Sequence, residues 1–284
     1  MNTTARHSNL TLMTRLRESG STIVVTGAGG GIGSGIVTRL IRDGWHVLAA
    51  DLSADSLTRL QSEIDADGRL AVAKLDVSDP AAVEQCAKQL ADRGATVAGL
   101  VNAAGILQDV VPLMALDLEW QKKIWDVNYF GAFYCTKWFG ELMIGNGGGS
   151  IVNITSINET RVLPLHAYGP SKVALGTLTA LSAGEFGAKS VRVNSVAPGF
   201  TRTAALQEKI DSGKRDVGAL ERACAMRRLV EIEEVAAVVS FLISDESSAV
   251  TGASIPVDAG WLTTSHWMNF NDLLAAAADK TQAP

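Results

Sequence analysis

Tyr168 and Lys172 stand four residues apart at the start of a segment with helical periodicity. Their side chains are therefore expected on the same face of a helix. Pro170 is tolerated between them because the first helical turn has no intrahelical hydrogen bond to lose. Tyrosine is a poor base at neutral pH, and a neighbouring ammonium group would favour its phenolate. The pair predicts a site of proton transfer, although a Tyr/Lys pair at this spacing also occurs in ordinary helices.

A glycine-rich turn joins the first predicted strand, 22–26, to the first predicted helix, 33–42. Gly27, Gly31 and Gly33 follow the spacing G-x-x-x-G-x-G rather than the strict G-x-G-x-x-G. Glycine permits a positive φ and lets the backbone approach a pyrophosphate at the positive end of a helix. The turn therefore predicts a nucleotide site.

Asp51 ends the second predicted strand, and Asp76 follows the third. A carboxylate at the end of the second strand reaches the adenosine ribose hydroxyls and repels a 2′-phosphate. No basic residue occurs within 28–30 or directly after Asp51, so NAD is favoured over NADP. The alternative for Asp51 is a solvated strand end. Asp76 is expected at the adenine edge, or else in an ordinary turn and helix cap.

Strand-like and helical patterns alternate along the chain. The predicted strands are 22–26, 46–50, 70–75, 97–101, 150–154, 191–196 and 254–257, and the predicted helices are 33–42, 53–66, 80–92, 117–144 and 166–186. Continuously apolar strands separated by helices indicate a parallel α/β sheet covered on both faces, with right-handed crossovers. A single doubly wound domain follows from this order.

Three segments flank or interrupt the regular pattern. Residues 1–21 are expected to form an N-terminal extension, either a disordered tail or a short helix, ahead of a domain at 22–260. The charged segment 202–228 is expected to be a helical, mobile substrate lid. In the C-terminal tail, 261–284, the side chains of Trp261, Trp267 and Phe270 are expected to pack on their own subunit, on a neighbouring subunit or at a substrate entrance.

Composition excludes several classes of protein. The formal net charge is −5, and no cluster of Lys or Arg exceeds a pair, which argues against nucleic-acid binding. The apolar stretches are shorter than the ~18 residues of a membrane span. The three cysteines are far apart without a CxxC, which argues against a disulfide framework or zinc site and fits a reducing cytoplasm. No metal site is expected.

Several motifs follow one another in a characteristic order. They are TGAGGGIG at 26–33, Asp76-Val77, NAAG at 102–105, VN at 127–128, Ser156, YGPSK at 168–172, NSVAPGFTRT at 194–203 and VTGASIPVDAG at 250–260. On these motifs, residues 22–260 resemble the classical short-chain dehydrogenase/reductase family. The resemblance implies one Rossmann-type domain with a seven-stranded parallel sheet.

The resemblance also implies four catalytic residues. Tyr168 would act as general acid in carbonyl reduction and general base in alcohol oxidation, and Ser156 would donate a hydrogen bond to the substrate oxygen. Lys172 would lower the pKa of the tyrosine and bind the nicotinamide ribose. Asn128 would anchor a water that continues the proton relay.

Cofactor contacts are implied along the same motifs. The residues are Gly27, Gly31, Ile32, Gly33, Asp51, Asp76, Val77, Asn102, Ala103, Gly105, Tyr168, Lys172, Pro198, Gly199 and Thr203. Asn102 and Gly105 would also stabilise the central sheet. Pro198, Gly199 and Thr203 would contact the nicotinamide end.

The chain departs from the family pattern between Ser156 and Tyr168. These residues are twelve positions apart where the family usually has thirteen. The missing residue is expected in the loop 158–164, with Ser156 in place. Thr155 would restore the spacing, but alternation along the strand turns its side chain to the other face. A second departure, Gly169-Pro170 in place of commoner small residues, is expected to have no functional cost.

The resulting prediction is NAD(H)-dependent interconversion of a secondary alcohol and a ketone. Asn158, Glu159, Arg161 and His166 follow the serine and would face a hydroxylated substrate such as a polyol or sugar, or else form a polar surface loop. A hydrophobic ketone or a 3-oxoacyl thioester is the alternative substrate. A catalytically inactive dinucleotide sensor or scaffold is the alternative of another class, although it would be expected to lose Tyr168, Lys172 or Ser156.

An aromatic stripe marks the long predicted helix around Asn128. Its members are Trp125, Tyr129, Phe133, Trp138 and Phe139. Core or subunit packing explains the stripe better than cofactor contact does. In the family this helix commonly forms a dimer face, so a homo-oligomer, a dimer or tetramer, is expected.

Overall fold

Alternating apolar strands and helices build a parallel sheet in the computed structural model, which describes residues 20–64 and 66–267. The strands are β1 Thr22–Thr26, β2 His46–Asp51, β3 Leu70–Lys74, β4 Val97–Asn102, β5 Gly149–Ile154, β6 Val191–Pro198 and β7 Ser254–Val257. Their order is β3-β2-β1-β4-β5-β6-β7, and every pair is parallel. This confirms the predicted doubly wound, seven-stranded α/β fold.

Ten α-helices belong to the described residues. They are α1 Gly31–Arg42, α2 Ala54–Glu63, α3 Pro80–Asp92, α4 Leu118–Trp125, α5 Ala132–Gly145, α6 Tyr168–Phe186, α7 Ala204–Asp211, α8 Val217–Ala223, α9 Ile232–Ile243 and α10 Trp261–Thr264. Helix starts follow capping chemistry: the Ser53 hydroxyl accepts from the backbone of α2, and Asp79 caps α3 ahead of a proline. These caps fix where each helix leaves its strand.

Alternation along the strands gives the sheet two separate cores. On β1, Ile23 and Val25 face one side, where Ile36 of α1 and Val239 of α9 pack against them. Val24 faces the opposite side, in a cluster with residues of α3 and α5. Successive strand side chains point to opposite faces, so one strand serves both cores. The sheet is therefore a rigid layer whose strand ends hold the loops in fixed positions.

Two helical predictions need correction. The predicted helix 117–144 consists of α4 and α5, joined by a π-helical turn at Asp126–Gly131. Helix α9 was not predicted at all, although it packs against α1 on the sheet. The expected lid segment contains α7 and α8, and its mobility stays a prediction.

The two aromatic predictions have different outcomes. Trp261 is buried and packs edge-to-face on Phe200, at 5.7 Å between ring centroids, so it packs on its own subunit. Along the stripe Phe139 is buried, whereas Phe133 remains 40% exposed, and subunit packing there stays a prediction. Phe270 and the N-terminal extension before residue 20 lie outside the described residues.

Among the residues described, no helix combines the length and apolar character needed to cross a membrane. The same residues contain no group of three or more His, Cys, Asp or Glu side chains placed to hold a metal ion. The three cysteines are buried free thiols.

Candidate active site

A cavity of about 750 Å³ lies beyond the carboxyl ends of the strands. Its wall includes the turns after β1, β2 and β3 and the segments that follow β4, β5 and β6. The strand order reverses at β1: β2 and β3 extend the sheet on one side of β1, and β4 to β7 extend it on the other. Open α/β sheets bind ligands in the crevice at such a switch point.

The glycine turn leaves backbone groups free to meet a phosphate. Gly27 has φ +64°, a conformation that favours glycine, and a Cβ on Gly33 would lie 2.1 Å from the Gly27 carbonyl oxygen. A Cβ on Gly31 would come within 3.2 Å of Thr203 across the cavity. No side chain in the described residues caps α1, so its first N–H groups and dipole are available to an anion. The turn fits the pyrophosphate of a dinucleotide.

Both predicted carboxylates lie in the cavity wall. The Asp51 carboxylate accepts from the Gly29 N–H and from the Ser53 N–H, each at 2.9 Å, which fixes it against the glycine turn. Asp76 accepts from the Ser78 N–H at 2.9 Å. Arg59 was missed: its guanidinium donates to the Gly29 carbonyl at 3.5 Å. The sequence prediction considered only residues adjacent to the turn and to Asp51, whereas α2 brings Arg59 back from further along the chain.

The other predicted cofactor residues fall into two groups. Ile32, Val77, Ala103, Gly105, Pro198, Gly199 and Thr203 line the cavity. Asn102 does not: its Nδ2 donates to Asn153 Oδ1 at 2.8 Å, within the sheet. Asn153 in turn donates to Thr179 on α6, so this network ties β4 and β5 to the helix that carries Tyr168.

Ser156, Tyr168 and Lys172 converge on one wall of the cavity. The Ser156 hydroxyl lies close enough to the Tyr168 phenol to favour its ionised form. Lys172 Nζ lies 5.7 Å from the centroid of the tyrosine ring and donates to the Ile154 carbonyl at 2.8 Å. The two side chains thus share a helix face, as predicted.

The electrostatic prediction for Tyr168 needs correction. Burial raises the pKa of its phenol above the ordinary value, and the nearby Ser156 hydroxyl opposes this. The expectation was that Lys172 lowers the phenol pKa. In the structure burial is the larger effect, because it removes the water that would solvate a phenolate. Burial also lowers the pKa of Lys172 to about 8.

Asn128 sits in the π-helical turn, fully buried. Its Oδ1 accepts from the Ile106 N–H at 2.7 Å, and its Nδ2 donates to the Ile106 carbonyl at 3.1 Å. A Cβ on Gly105 would lie 3.5 Å from Asn128 Oδ1 and 3.6 Å from Lys172 Nζ, so these three residues adjoin. A π-helical turn contains one residue more than an α-helical turn, and such turns inside helices are frequent at functional sites. The water relay predicted for Asn128 stays a prediction.

The choice of Ser156 over Thr155 agrees with the geometry. Thr155 Oγ1 donates to the Val196 carbonyl of β6 at 3.1 Å, whereas Ser156 approaches the phenol of Tyr168. The chain after Ser156 forms a 3₁₀ turn at Ile157–Glu159. The shorter loop therefore leaves the serine within reach of Tyr168.

Only one of the four residues predicted to face the substrate lines the cavity. Asn158 is buried in its wall, and its Nδ2 donates to Ser156 Oγ at 3.0 Å. The Glu159 carboxylate instead accepts from the Ser254 hydroxyl at 3.0 Å, and His166 is exposed outside the cavity. The prediction that Glu159, Arg161 and His166 face the substrate is wrong for this arrangement, because none of the three lines the cavity. In this loop the apolar Leu163 and Leu165 line it instead.

Gln108 is a cavity residue that sequence reasoning missed. Its side chain is buried, and Oε1 accepts from the N–H groups of Ala167 at 2.9 Å and Tyr168 at 3.1 Å. The carboxamide thus caps the helix that carries the tyrosine. A separation of 60 residues leaves no local pattern to find. At the mouth of the cavity, Lys209 of α7 pairs with Asp109 at 2.9 Å and joins the lid segment to the same loop.

The buried ammonium of Lys172 predicts a specific pH dependence of stability. Its pKa falls from 10.5 to about 8 on folding, so the unfolded chain binds more protons in that window. The contribution of Lys172 to the free energy of unfolding therefore rises with pH across the window. As the pH rises through this window, the free energy of unfolding of the wild type is expected to increase by up to about 3 kcal/mol relative to that of Lys172→Met. Urea unfolding of both proteins at several pH values measures the difference, and a flat or falling difference would contradict the assignment.

Comparison with known proteins is consistent with this geometry. Residues 27–262 match a family model described as enoyl-(acyl carrier protein) reductase. Galactitol 2-dehydrogenase from Rhizobium johnstonii is 35% identical over 260 residues, covering 87% of this chain and 97% of that protein. The 3-oxoacyl-[acyl-carrier-protein] reductase FabG from Thermotoga maritima is 34% identical over 247 residues, covering 86% and 99%.

A solved structure gives the same result for the fold. The structure of ElxO with NADP bound superposes with a TM-score of 0.82 at 27% identity, covering 86% of this chain and all of that one. The extent of the family match and the identity to these relatives leave no ambiguity about kinship. The chain belongs to the short-chain dehydrogenase/reductase family, whose members are oxidoreductases that bind a nicotinamide dinucleotide.

Proposed function

We propose that the protein interconverts a secondary alcohol and a ketone with NAD(H), acting on a hydroxylated substrate of the polyol or sugar-alcohol type. The observation that carries the proposal is the convergence of Ser156, Tyr168 and Lys172 on the wall of the cavity. The similarity to a galactitol dehydrogenase supports the substrate class. The similarity to FabG keeps a 3-oxoacyl thioester as the alternative substrate.

The proposed roles follow from where the side chains lie. The dinucleotide would be held by the glycine turn, Asp51 and Thr203, and when bound it supplies the hydride acceptor for oxidation or the hydride donor for reduction. Tyr168 holds the proton that the alcohol oxygen loses or the ketone oxygen gains. Ser156 donates a hydrogen bond to that oxygen. Lys172 places positive charge beside a phenol whose burial disfavours its ionised form.

Turnover tests the function directly. The purified full chain is assayed with NAD⁺ against polyols and simple secondary alcohols, and with NADH against ketones and 3-oxoacyl thioesters. We expect oxidation of polyols to give the highest kcat/KM. NADH binding without turnover of any substrate would favour a sensor or scaffold, and preference for the thioesters would favour the reductase alternative.

The proposed preference for NAD rests on Asp51. Its carboxylate is fixed by the Gly29 and Ser53 N–H groups where a 2′-phosphate would meet a like charge. Replacing Asp51 by serine is expected to raise the ratio of kcat/KM for NADPH over NADH about 100-fold, because like charges in contact cost several kcal/mol. Arg59 lies beside the same turn and is expected to attract the 2′-phosphate of NADPH once Asp51 is gone. Adding Arg59→Ala to the serine variant should therefore reverse part of the increase in the kcat/KM ratio. A wild-type preference for NADPH would refute the role given to Asp51.

A further inference from the structure

Two buried polar atoms in the cavity wall have no hydrogen-bond partner among the residues that the structure describes. They are Nε2 of Gln108 and Oδ1 of Asn158. The two side chains are only 5% and 7% exposed, and both line the cavity. A buried donor or acceptor without a partner costs free energy, so native proteins almost always satisfy such groups. Both atoms have almost no accessible surface in this arrangement, so a ligand in the cavity would supply the missing partners after a small rotation of each side chain.

The free end of Gln108 is a hydrogen-bond donor. Its Oε1 already accepts from two backbone N–H groups, those of Ala167 and Tyr168. Only the carbonyl end of a carboxamide can accept from a backbone N–H, so this contact fixes which end is oxygen. The NH₂ group is therefore the end left without a partner, next to the first residue of the helix that begins with Tyr168.

The free end of Asn158 is an acceptor. Its Nδ2 donates to Ser156 Oγ at 3.0 Å, and its backbone N–H donates to the same oxygen at 3.2 Å. A hydroxyl has two acceptor positions and one donor. Asn158 fills both acceptor positions of Ser156 Oγ, so Ser156 cannot accept another hydrogen bond. Its hydroxyl can only donate, to Tyr168 or to a substrate oxygen. The arrangement leaves Asn158 Oδ1 free to accept.

We propose that Gln108 and Asn158 recognise a second hydroxyl of the substrate, on the carbon next to the one that reacts. The inference rests on the proposed function and narrows its substrate to a vicinal diol or polyol. Gln108 contacts the backbone of Tyr168, and Asn158 contacts the side chain of Ser156, so the pair flanks the two groups that hold the reacting oxygen. A hydroxyl both accepts and donates, which matches one free donor and one free acceptor. A methylene matches neither, and a thioester carbonyl can only accept.

The decisive experiment compares 2,3-butanediol with 2-butanol, at saturating NAD⁺, on the full-length protein. A site built to bond a substrate hydroxyl strongly rejects the analogue that lacks it. We expect kcat/KM of the wild type to favour the diol by at least about 100-fold. Gln108→Glu keeps an oxygen toward Ala167 and Tyr168 but removes the free donor, and it is expected to lower this ratio at least about tenfold. Gln85→Glu makes the same change on the exposed face of α3, away from the cavity, and should leave the ratio as it is.

A second variant separates recognition from folding. Asn158→Ala is expected to lower the ratio and also kcat for both alcohols, because Ser156 loses one of the donors that direct its proton. NADH binding by each variant, followed by fluorescence, shows that it is folded. A wild-type ratio near one, or an unchanged ratio in Gln108→Glu, overturns the inference while the proposed function stands. Failure of the wild type to oxidise any alcohol overturns both.

Discussion

Replacing Tyr168 by phenylalanine is expected to lower kcat/KM about 1000-fold or more, because general acid–base catalysis contributes about 100- to 10,000-fold. The change removes one oxygen and leaves the ring that Lys172 approaches. Ser156 keeps its hydroxyl but has no phenol to bond. No other group of the proposed site takes the proton from the alcohol or gives it to the ketone, so the loss should fall on kcat and affect oxidation and reduction alike.

The same variant is expected to keep its affinity for NADH, because the glycine turn and Asp51 do not depend on the phenol oxygen. Steady-state kinetics with the preferred alcohol and titration of NADH fluorescence measure the two properties. Tyr134→Phe is the matched control, since Tyr134 packs among aromatic rings of α5 and the π-helical turn, outside the cavity. Wild-type activity in Tyr168→Phe would exclude the proposed mechanism.

Local patterns were sufficient to predict most of the sheet and much of the site. Every strand was located, most of them because a largely buried parallel strand has no polar face and forms an apolar run in the sequence. The starts of the helices predicted at 53–66 and 80–92 depend on short-range chemistry, namely the caps at Ser53 and at Asp79-Pro80. Alternation along β5 correctly separated Thr155 from Ser156. In each case the determinant lies within a few residues in sequence.

Helix α9 escaped prediction because its pattern is ambiguous. Its residues are apolar on most sides, with a buried face at Val235, Val239 and Leu242 and a partly exposed Phe241. Periodicity alone cannot decide whether a short apolar run is a strand or a buried helix. The missing signal was the capping box, in which the Glu231 and Glu234 side chains cap the start of the helix reciprocally.

The remaining errors arise where the fold brings distant residues together. Gln108 reaches the start of α6 only because the loop after β4 passes beneath it, and Arg59 reaches the glycine turn only through the packing of α2. Glu159 was misassigned because the 3₁₀ turn after Ser156 directs it to Ser254. Such contacts depend on tertiary geometry, which a local pattern does not specify. They nevertheless determine the polar lining of the cavity.

Replacing Gly33 by alanine is expected to destabilise the protein by about 3 kcal/mol and to weaken NADH binding about 100-fold, or about 2.8 kcal/mol. A Cβ there would lie 2.1 Å from the Gly27 carbonyl oxygen and 2.8 Å from its carbon. Both obstacles are backbone atoms, so no side chain can rotate out of the way. The turn itself must move, and the turn carries the N–H groups proposed to bind the pyrophosphate.

Gly184→Ala makes the same change in open space on α6, with nothing within 4 Å of the added methyl group. It is expected to raise stability by up to about 1 kcal/mol, since alanine favours a helix, and to leave NADH affinity unchanged. Urea unfolding and fluorescence titration of both variants separate the two effects. If Gly33→Ala unfolded like the wild type and still bound NADH tightly, the turn would have room for a side chain. The close packing of Gly33 on Gly27 would then not be what shapes the phosphate site.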